Sequence, residues 1–261
     1  MVEIGIPLWQ LQVATSIGLI GVWVGWRGGM SKMIGFYDLP TATRLLLYGF
    51  FVGAVYQAAA SSLVLDPLWS AERIPLIEIL LLSLTLSLLT MFLLTREGVR
   101  QLNGQPTAGW TFGLGLGSML VVLLIYRLIS TTYSDGIKGF VTVGFGWPSL
   151  LFGGLLACIV PWTMAIIGSW QGWHALEGRR FKPAFKAMLL HSILLLVIAF
   201  GLMYLPALFI LPAVIIWGQS KADRIWLPSG LSPRMKQEWV RLQRTGISTG
   251  VRSVGSEEEA E

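Results

Sequence analysis

The stretch that decides the fold is residues 74–95, which read IPLIEILLLSLTLSLLTMFLLT. Glu78 is its one charged side chain, and apart from Pro75 the other residues are apolar or carry a single hydroxyl. An α-helix needs about 20 mostly apolar residues to cross the roughly 30 Å of hydrocarbon in a bilayer. The stretch therefore predicts a transmembrane helix.

The composition of the whole chain points to the same environment. Of its 261 residues, 54% are hydrophobic and 13% are charged, whereas soluble globular proteins average about 25% charged residues. Lipid is therefore the expected solvent for most of the chain. The net charge of +5 is explained by membrane topology and does not indicate nucleic-acid binding.

Apolar windows of similar length recur along the sequence and predict an all-α fold, a polytopic membrane helical bundle of about seven transmembrane helices. The windows lie near residues 8–26, 43–65, 74–95, 108–130, 147–170, 185–204 and 205–218. Pro206 and Pro212 interrupt the last window, so residues 185–218 form either two spans or one span and a re-entrant segment. The charge distribution favours two spans.

Lysine and arginine residues are distributed unevenly between the predicted loops. With the N-terminus outside and seven spans, 16 of the 19 Lys and Arg residues fall on the cytoplasmic side. Cytoplasmic loops of membrane proteins carry such an excess of positive charge. Six spans would instead put the most basic segment, the C-terminal one, outside. The sequence thus predicts a multi-pass protein of the cell membrane with an outside N-terminus and a cytoplasmic C-terminus.

The composition becomes polar and basic near residue 218 and predicts two domains. Residues 1–218 form the transmembrane helical domain, and residues 219–261 form a basic cytoplasmic tail. Ser232 and Pro233 are a typical helix start, and one face of that helix then carries Met235, Trp239 and Leu242. The tail is expected to hold a short amphipathic helix on the anionic inner leaflet, or to be solvated throughout. Its acidic end is expected to be disordered.

Ionisable side chains within transmembrane spans are costly, so each one is a candidate functional residue. Glu78 and Arg127 lie at similar predicted depths, which predicts a structural ion pair between them. His191 is expected to be a neutral imidazole that is hydrogen-bonded to a neighbouring helix. Glycine pairs four residues apart predict close contacts between helices: Gly21/Gly25, Gly49/Gly53 and Gly113/Gly117.

Several of these residues occur in an order that a known family shares. Phe36-Tyr37-Asp38-Leu39-Pro40 is an aromatic and acidic stretch before the second helix, and Pro75 to Glu78 opens the third. Gly113 to Gly117 and Tyr126 follow on the fourth helix, and His191 lies on the sixth. Over roughly residues 36–195 this order resembles the PrsW-type intramembrane metalloproteases, relatives of the CAAX-processing proteases.

The resemblance implies a divergent member that lacks most of the catalytic residues. Glu78 and His191 stand at remnant catalytic positions. At the family's other catalytic positions this chain has different residues: Ile79, Leu82, Val122, Leu123, segment 147–149 and Leu195. A catalytic zinc site needs about three protein ligands and a water, and the predicted spans contain Glu78, His191 and Cys158 on three different helices.

The function expected from these features is a PrsW-like, non-proteolytic scaffold that binds transmembrane segments or lipids. No metal or other cofactor is expected, and the expected partners are the lipid bilayer and other transmembrane proteins. Two alternatives stay open. One is an active intramembrane metalloprotease with a rearranged site, and the other is a small-molecule transporter or an accessory subunit of a membrane complex, with a polar cavity near broken helices.

Overall fold

The computed structural model describes residues 8–70, 73–130, 146–201, 208 and 210–245. Over these residues the chain is helical and contains no strand. Six of the described helices are long and apolar enough to cross a membrane. They are α1 Leu8–Gly28, α2 Leu39–Ala60, α4 Leu76–Leu94, α6 Gln105–Ser130, α7 Trp147–Leu176 and α8 Phe181–Gly201. The predicted all-helical, multi-pass class is therefore confirmed.

Four shorter α-helices lie between or after the long ones. They are α3 Asp66–Trp69, α5 Glu97–Arg100, α9 Ile210–Lys221 and α10 Pro233–Thr245. A π-helical turn, Ser61–Leu65, joins α2 to α3, and a second one, Ala222–Trp226, follows α9. α9 covers most of the predicted seventh window, but its 12 residues extend only about 18 Å.

Several long helices begin or end beyond the predicted apolar windows. α2 begins at Leu39 rather than residue 43 because Asp38 caps it: the Thr41 backbone N–H donates to Asp38 Oδ2 at 2.9 Å. α7 continues to Leu176 rather than stopping at residue 170. Hydropathy marks only the part of a helix that lies in lipid, whereas backbone hydrogen bonding continues through polar residues.

α6 is the central helix, and glycines let its neighbours approach closely. A Cβ added at Gly109, Gly113 or Gly117 would overlap the α7 backbone near residues 168, 164 and 161 respectively. Along this contact the residue numbers increase in α6 and decrease in α7, so the two helices are antiparallel. The predicted packing role of Gly113 and Gly117 is confirmed.

Glycines of the first two helices make similar contacts with the same pair. Gly49 and Gly53 of α2 lie against the α6 backbone near Phe112 and Leu116, and α2 runs parallel to α6. In α1, Gly25 lies against Leu114 and Gly21 against the backbone of Ala157. All three predicted glycine pairs therefore lie at helix contacts.

The chain after α9 packs against one end of the bundle. The Lys32 ammonium is 2.6 Å from Asp223 Oδ2, and the Trp239 indole N–H donates to the Lys32 carbonyl at 3.2 Å. A Cβ at Gly230 would overlap the Asn103 carbonyl. The predicted tail helix thus forms as α10, and its Trp239 is buried against the loop that follows α1 rather than solvated.

Candidate functional site

Glu78 lies in the first turn of α4 and pairs with a near neighbour in sequence. Its Oε1 is 2.6 Å from the Arg73 guanidinium, and Arg127 pairs with Asp66. The predicted Glu78–Arg127 ion pair is therefore wrong. Asp66 and Arg73 lie in the connection between α2 and α4, outside the apolar windows, so a search of the spans alone overlooks both partners.

His191 is buried in α8, with 3% of its surface exposed. Neither ring nitrogen has a hydrogen-bond partner among the described residues. The predicted hydrogen bond to a neighbouring helix is therefore wrong for the part of the chain that the structure describes. One turn away on either side, Ala187 and Leu195 offer only apolar side chains.

Helix packing brings the two remnant positions to similar depth. The Ser87 hydroxyl of α4 donates to the Ala184 carbonyl of α8 at 2.5 Å. α8 runs antiparallel to α4 from this contact, so His191, about 10 Å further along, lies opposite residue 80. This is within about 3 Å of the level of Glu78 along the helix axis. The Glu78 carboxylate is nevertheless bonded to Arg73.

Other potential metal ligands lie elsewhere. Cys158 is partly buried on α7 as a free thiol. His174, near the other end of α7, is 3.4 Å from Glu177 and packs edge-on against Trp170, with ring centroids 4.8 Å apart. Within residues 8–70, 73–130, 146–201, 208 and 210–245, no three His, Cys, Asp or Glu side chains come together as a potential metal site.

A polar bridge joins α4, α7 and α8. The Gln171 amide donates to Ser87 Oγ at 3.0 Å and to the Ser87 carbonyl at 3.3 Å, and the Ser87 hydroxyl donates onward to Ala184. The sequence places Ser87 on one face of its helix with Ser83 and Thr90, which allows cross-bonding between helices. Of these three residues, Thr90 instead donates to Leu86 of its own helix.

A second polar cluster, the tail clamp, joins the end of α1, the middle of α7 and the end of α9. Gln219 accepts from the Trp162 indole at 2.6 Å, and its amide donates to the Gly28 carbonyl at 3.0 Å and to Asp223 at 2.6 Å. Asp223 also binds Lys32. The sequence analysis did not predict this cluster. Gln219 and Asp223 are polar residues four apart at the end of an apolar window, and this spacing could have indicated it.

The aromatic and acidic stretch before α2 has a structural role. Asp38 accepts the Thr41 N–H as the N-cap of α2. Hydrogen bonds from Thr41 hold the pKa of Asp38 below its usual value. Residues 35–42 also form one wall of a cavity of about 230 Å³, whose other walls come from residues 99–108 and 227–235.

An apolar groove, named here the lateral groove, runs between α8 and α9, with α7 as its floor. Its volume is about 410 Å³. The three helices supply apolar side chains, among them Ile166, Leu190, Ile193, Val197, Val214 and Trp217. Its one hydroxyl, Thr163, donates to the Ile159 carbonyl at 2.9 Å. Lys186 is the lining residue nearest the start of α8, and Trp226, three residues after Asp223, also lines the groove.

Comparison with protein-family models, curated proteins and solved structures finds no match to this chain. The described helices define its class: an all-helical, multi-pass type of bundle with six helices of membrane-spanning length and apolarity. The resemblance to the PrsW family stays a prediction.

Proposed function

We propose that this protein is a PrsW-like, non-proteolytic scaffold of the cell membrane that binds lipids or transmembrane segments. The lateral groove carries this proposal. It is open along the side of the bundle, and its walls hold large apolar side chains such as Leu190 and Ile193, which are 40% and 54% exposed. Open apolar concavities of this size are typical of binding sites.

The surroundings of the two remnant positions support binding rather than hydrolysis. A general base must have a free carboxylate within reach of the proton that it abstracts. Glu78 is already paired with Arg73. His191 is enclosed between helices and has no described partner that would orient it.

Seven crossings, with the N-terminus outside and the tail in the cytoplasm, belong to the same proposal. The end of α1 is bonded to Gln219, because the Gly28 carbonyl accepts from its amide. Leu8, at the other end of the 21-residue α1, is about 30 Å away. The start of α1 and the tail therefore lie at opposite ends of the bundle, which supports an odd number of crossings between them.

The experiment that tests this function is the metal content of the detergent-purified protein. Elemental mass spectrometry is applied to the wild type, Glu78→Ala and His191→Ala, with Glu97→Ala, at an exposed carboxylate of α5, as a matched control. The proposal predicts no stoichiometric metal in any of the four proteins. Stoichiometric zinc in the wild type that is lost from both the Glu78 and the His191 variants would contradict it, and would favour an active intramembrane metalloprotease with a rearranged site.

A further inference from the structure

We infer that the lateral groove holds one acyl chain of an anionic phospholipid, with the lipid headgroup at Lys186. This inference rests on the proposed function and names the ligand of its groove. Lipid and a transmembrane segment of another protein are the two occupants that the proposed function allows, and the length and charge of the groove favour lipid.

The length of the groove matches one leaflet. Its α8 wall extends from Lys186 to Val197, which is about 16 Å at 1.5 Å per residue. Half of the roughly 30 Å hydrocarbon core is about 15 Å. An acyl chain whose headgroup lies at Lys186 would therefore extend along the groove to about the bilayer midplane.

The middle of the groove is lined by apolar side chains, which suit an acyl chain. Along the middle of the groove the walls are aliphatic, and the Thr163 hydroxyl is already bonded within α7. Successive contact residues on α9, Ile210, Val214 and Trp217, are four and three residues apart and share one helical face. A continuous apolar surface therefore follows the length of the groove.

Positive charge lies at one end only. Lys186 is the one charged residue in the described lining, and it lies where the groove meets the tail-clamp end of the bundle. Exposed basic residues precede it in the turn before α8 and in its first turn: Arg179, Arg180 and Lys182. Basic residues at the cytoplasmic end of a pocket between transmembrane helices attract anionic lipid headgroups. The charge pattern selects an anionic lipid of the leaflet on the tail side.

Native mass spectrometry tests this assignment. The full-length protein is extracted from vesicles of equimolar phosphatidylcholine and phosphatidylglycerol, and lipid bound per chain is counted. We expect one phosphatidylglycerol per wild-type chain and its loss in Ile193→Trp, which fills the groove. Leu81→Trp is the matched control, because Leu81 is 58% exposed on α4, outside the groove. Equal lipid occupancy in the two tryptophan variants would overturn the inference.

A charge variant tests the headgroup. Lys186→Gln should lower the preference for phosphatidylglycerol over phosphatidylcholine about fivefold, since one basic residue near an anionic surface contributes about 1 kcal/mol. Lys236→Gln, at an exposed lysine of α10 outside the groove lining, should leave that preference unchanged. Equal effects of the two substitutions would contradict a headgroup site at Lys186.

A photo-crosslinking residue in place of Leu190 separates the two occupants. A covalent adduct with lipid supports the inference, and an adduct with another transmembrane protein overturns it while leaving the proposed scaffold function in place. Zinc in the wild-type protein would have the opposite effect, because it would overturn the scaffold function and leave the lipid count unaffected. The two failures are therefore distinguishable.

Discussion

At the scale of single residues, close helix contacts depend on the absence of a side chain. Gly113 of α6 faces the backbone of Met164 and Ala165, and an added Cβ would overlap it. Gly154 of α7 is also helical, but nothing lies within 4 Å of the position that its Cβ would take. Both glycines lie in apolar helical sequence. Only at Gly113 does a neighbouring backbone leave no room for a side chain.

Gly113→Ala should lower the stability of the bundle, and Gly154→Ala should not. Backbone atoms cannot move aside as a flexible side chain does, so overpacking at Gly113 should cost about 1–3 kcal/mol. Alanine at Gly154 should be neutral or stabilising by up to about 1 kcal/mol because of its higher helix propensity. Thermal unfolding in detergent measures both variants. Equal melting temperatures would contradict the glycine-mediated contact between α6 and α7.

Asp38 provides a prediction with a pH dependence. Because hydrogen bonds from Thr41 lower its pKa in the folded protein, Asp38 contributes stability above its ordinary pKa, and that stability is lost as the pH falls through the lowered value. Asp38→Ala should cost about 1 kcal/mol at neutral pH. Asp38→Asn should retain the cap and lose this acid dependence, as measured by melting temperature against pH. If the melting temperature of the asparagine variant falls at low pH as much as that of the wild type, this role of Asp38 is ruled out.

At the scale of elements, the sequence predicts which segments are helices better than where they end. The apolar windows identify all six long helices, because each contains a mostly apolar stretch with at most two charged residues. The polar end of α7 and the polar beginning of α8 are missed, since hydropathy does not report helical hydrogen bonding. α10 is predicted because Pro233 marks a helix start and Trp239 continues the apolar face.

Trp239 should hold α10 against the bundle. Its side chain is 6% exposed, and its indole N–H donates to the Lys32 carbonyl. Replacing a buried tryptophan by alanine typically costs about 3–5 kcal/mol. Trp239→Ala should therefore make the tail much more sensitive to trypsin, while Gln237→Ala, an exposed neighbour on the same helix, should not. The rate of tail cleavage in native conditions measures this, and equal rates in the two variants would show that α10 is not held by this contact.

At the scale of the whole molecule, the candidate site depends on how the helices are arranged. Glu78 and His191 can be found from sequence because ionisable residues in apolar windows are rare. The lateral groove cannot, because α7, α8 and α9 are apolar on most faces and their composition does not indicate which face meets a neighbour. The partners Asp66 and Arg73 are missed for another reason, since they lie in the connection between two helices.

At this scale we propose that the chain forms a seven-span bundle whose tail end is cytoplasmic. The groove, its basic end and the tail clamp all take their orientation from that topology. Single cysteines in place of Leu8 and Gln237, in a Cys158→Ala background, allow a direct measurement with a membrane-impermeant thiol reagent on intact cells. The account predicts labelling at residue 8 without lysis and at residue 237 only after lysis. Labelling of both positions from the same side would contradict it.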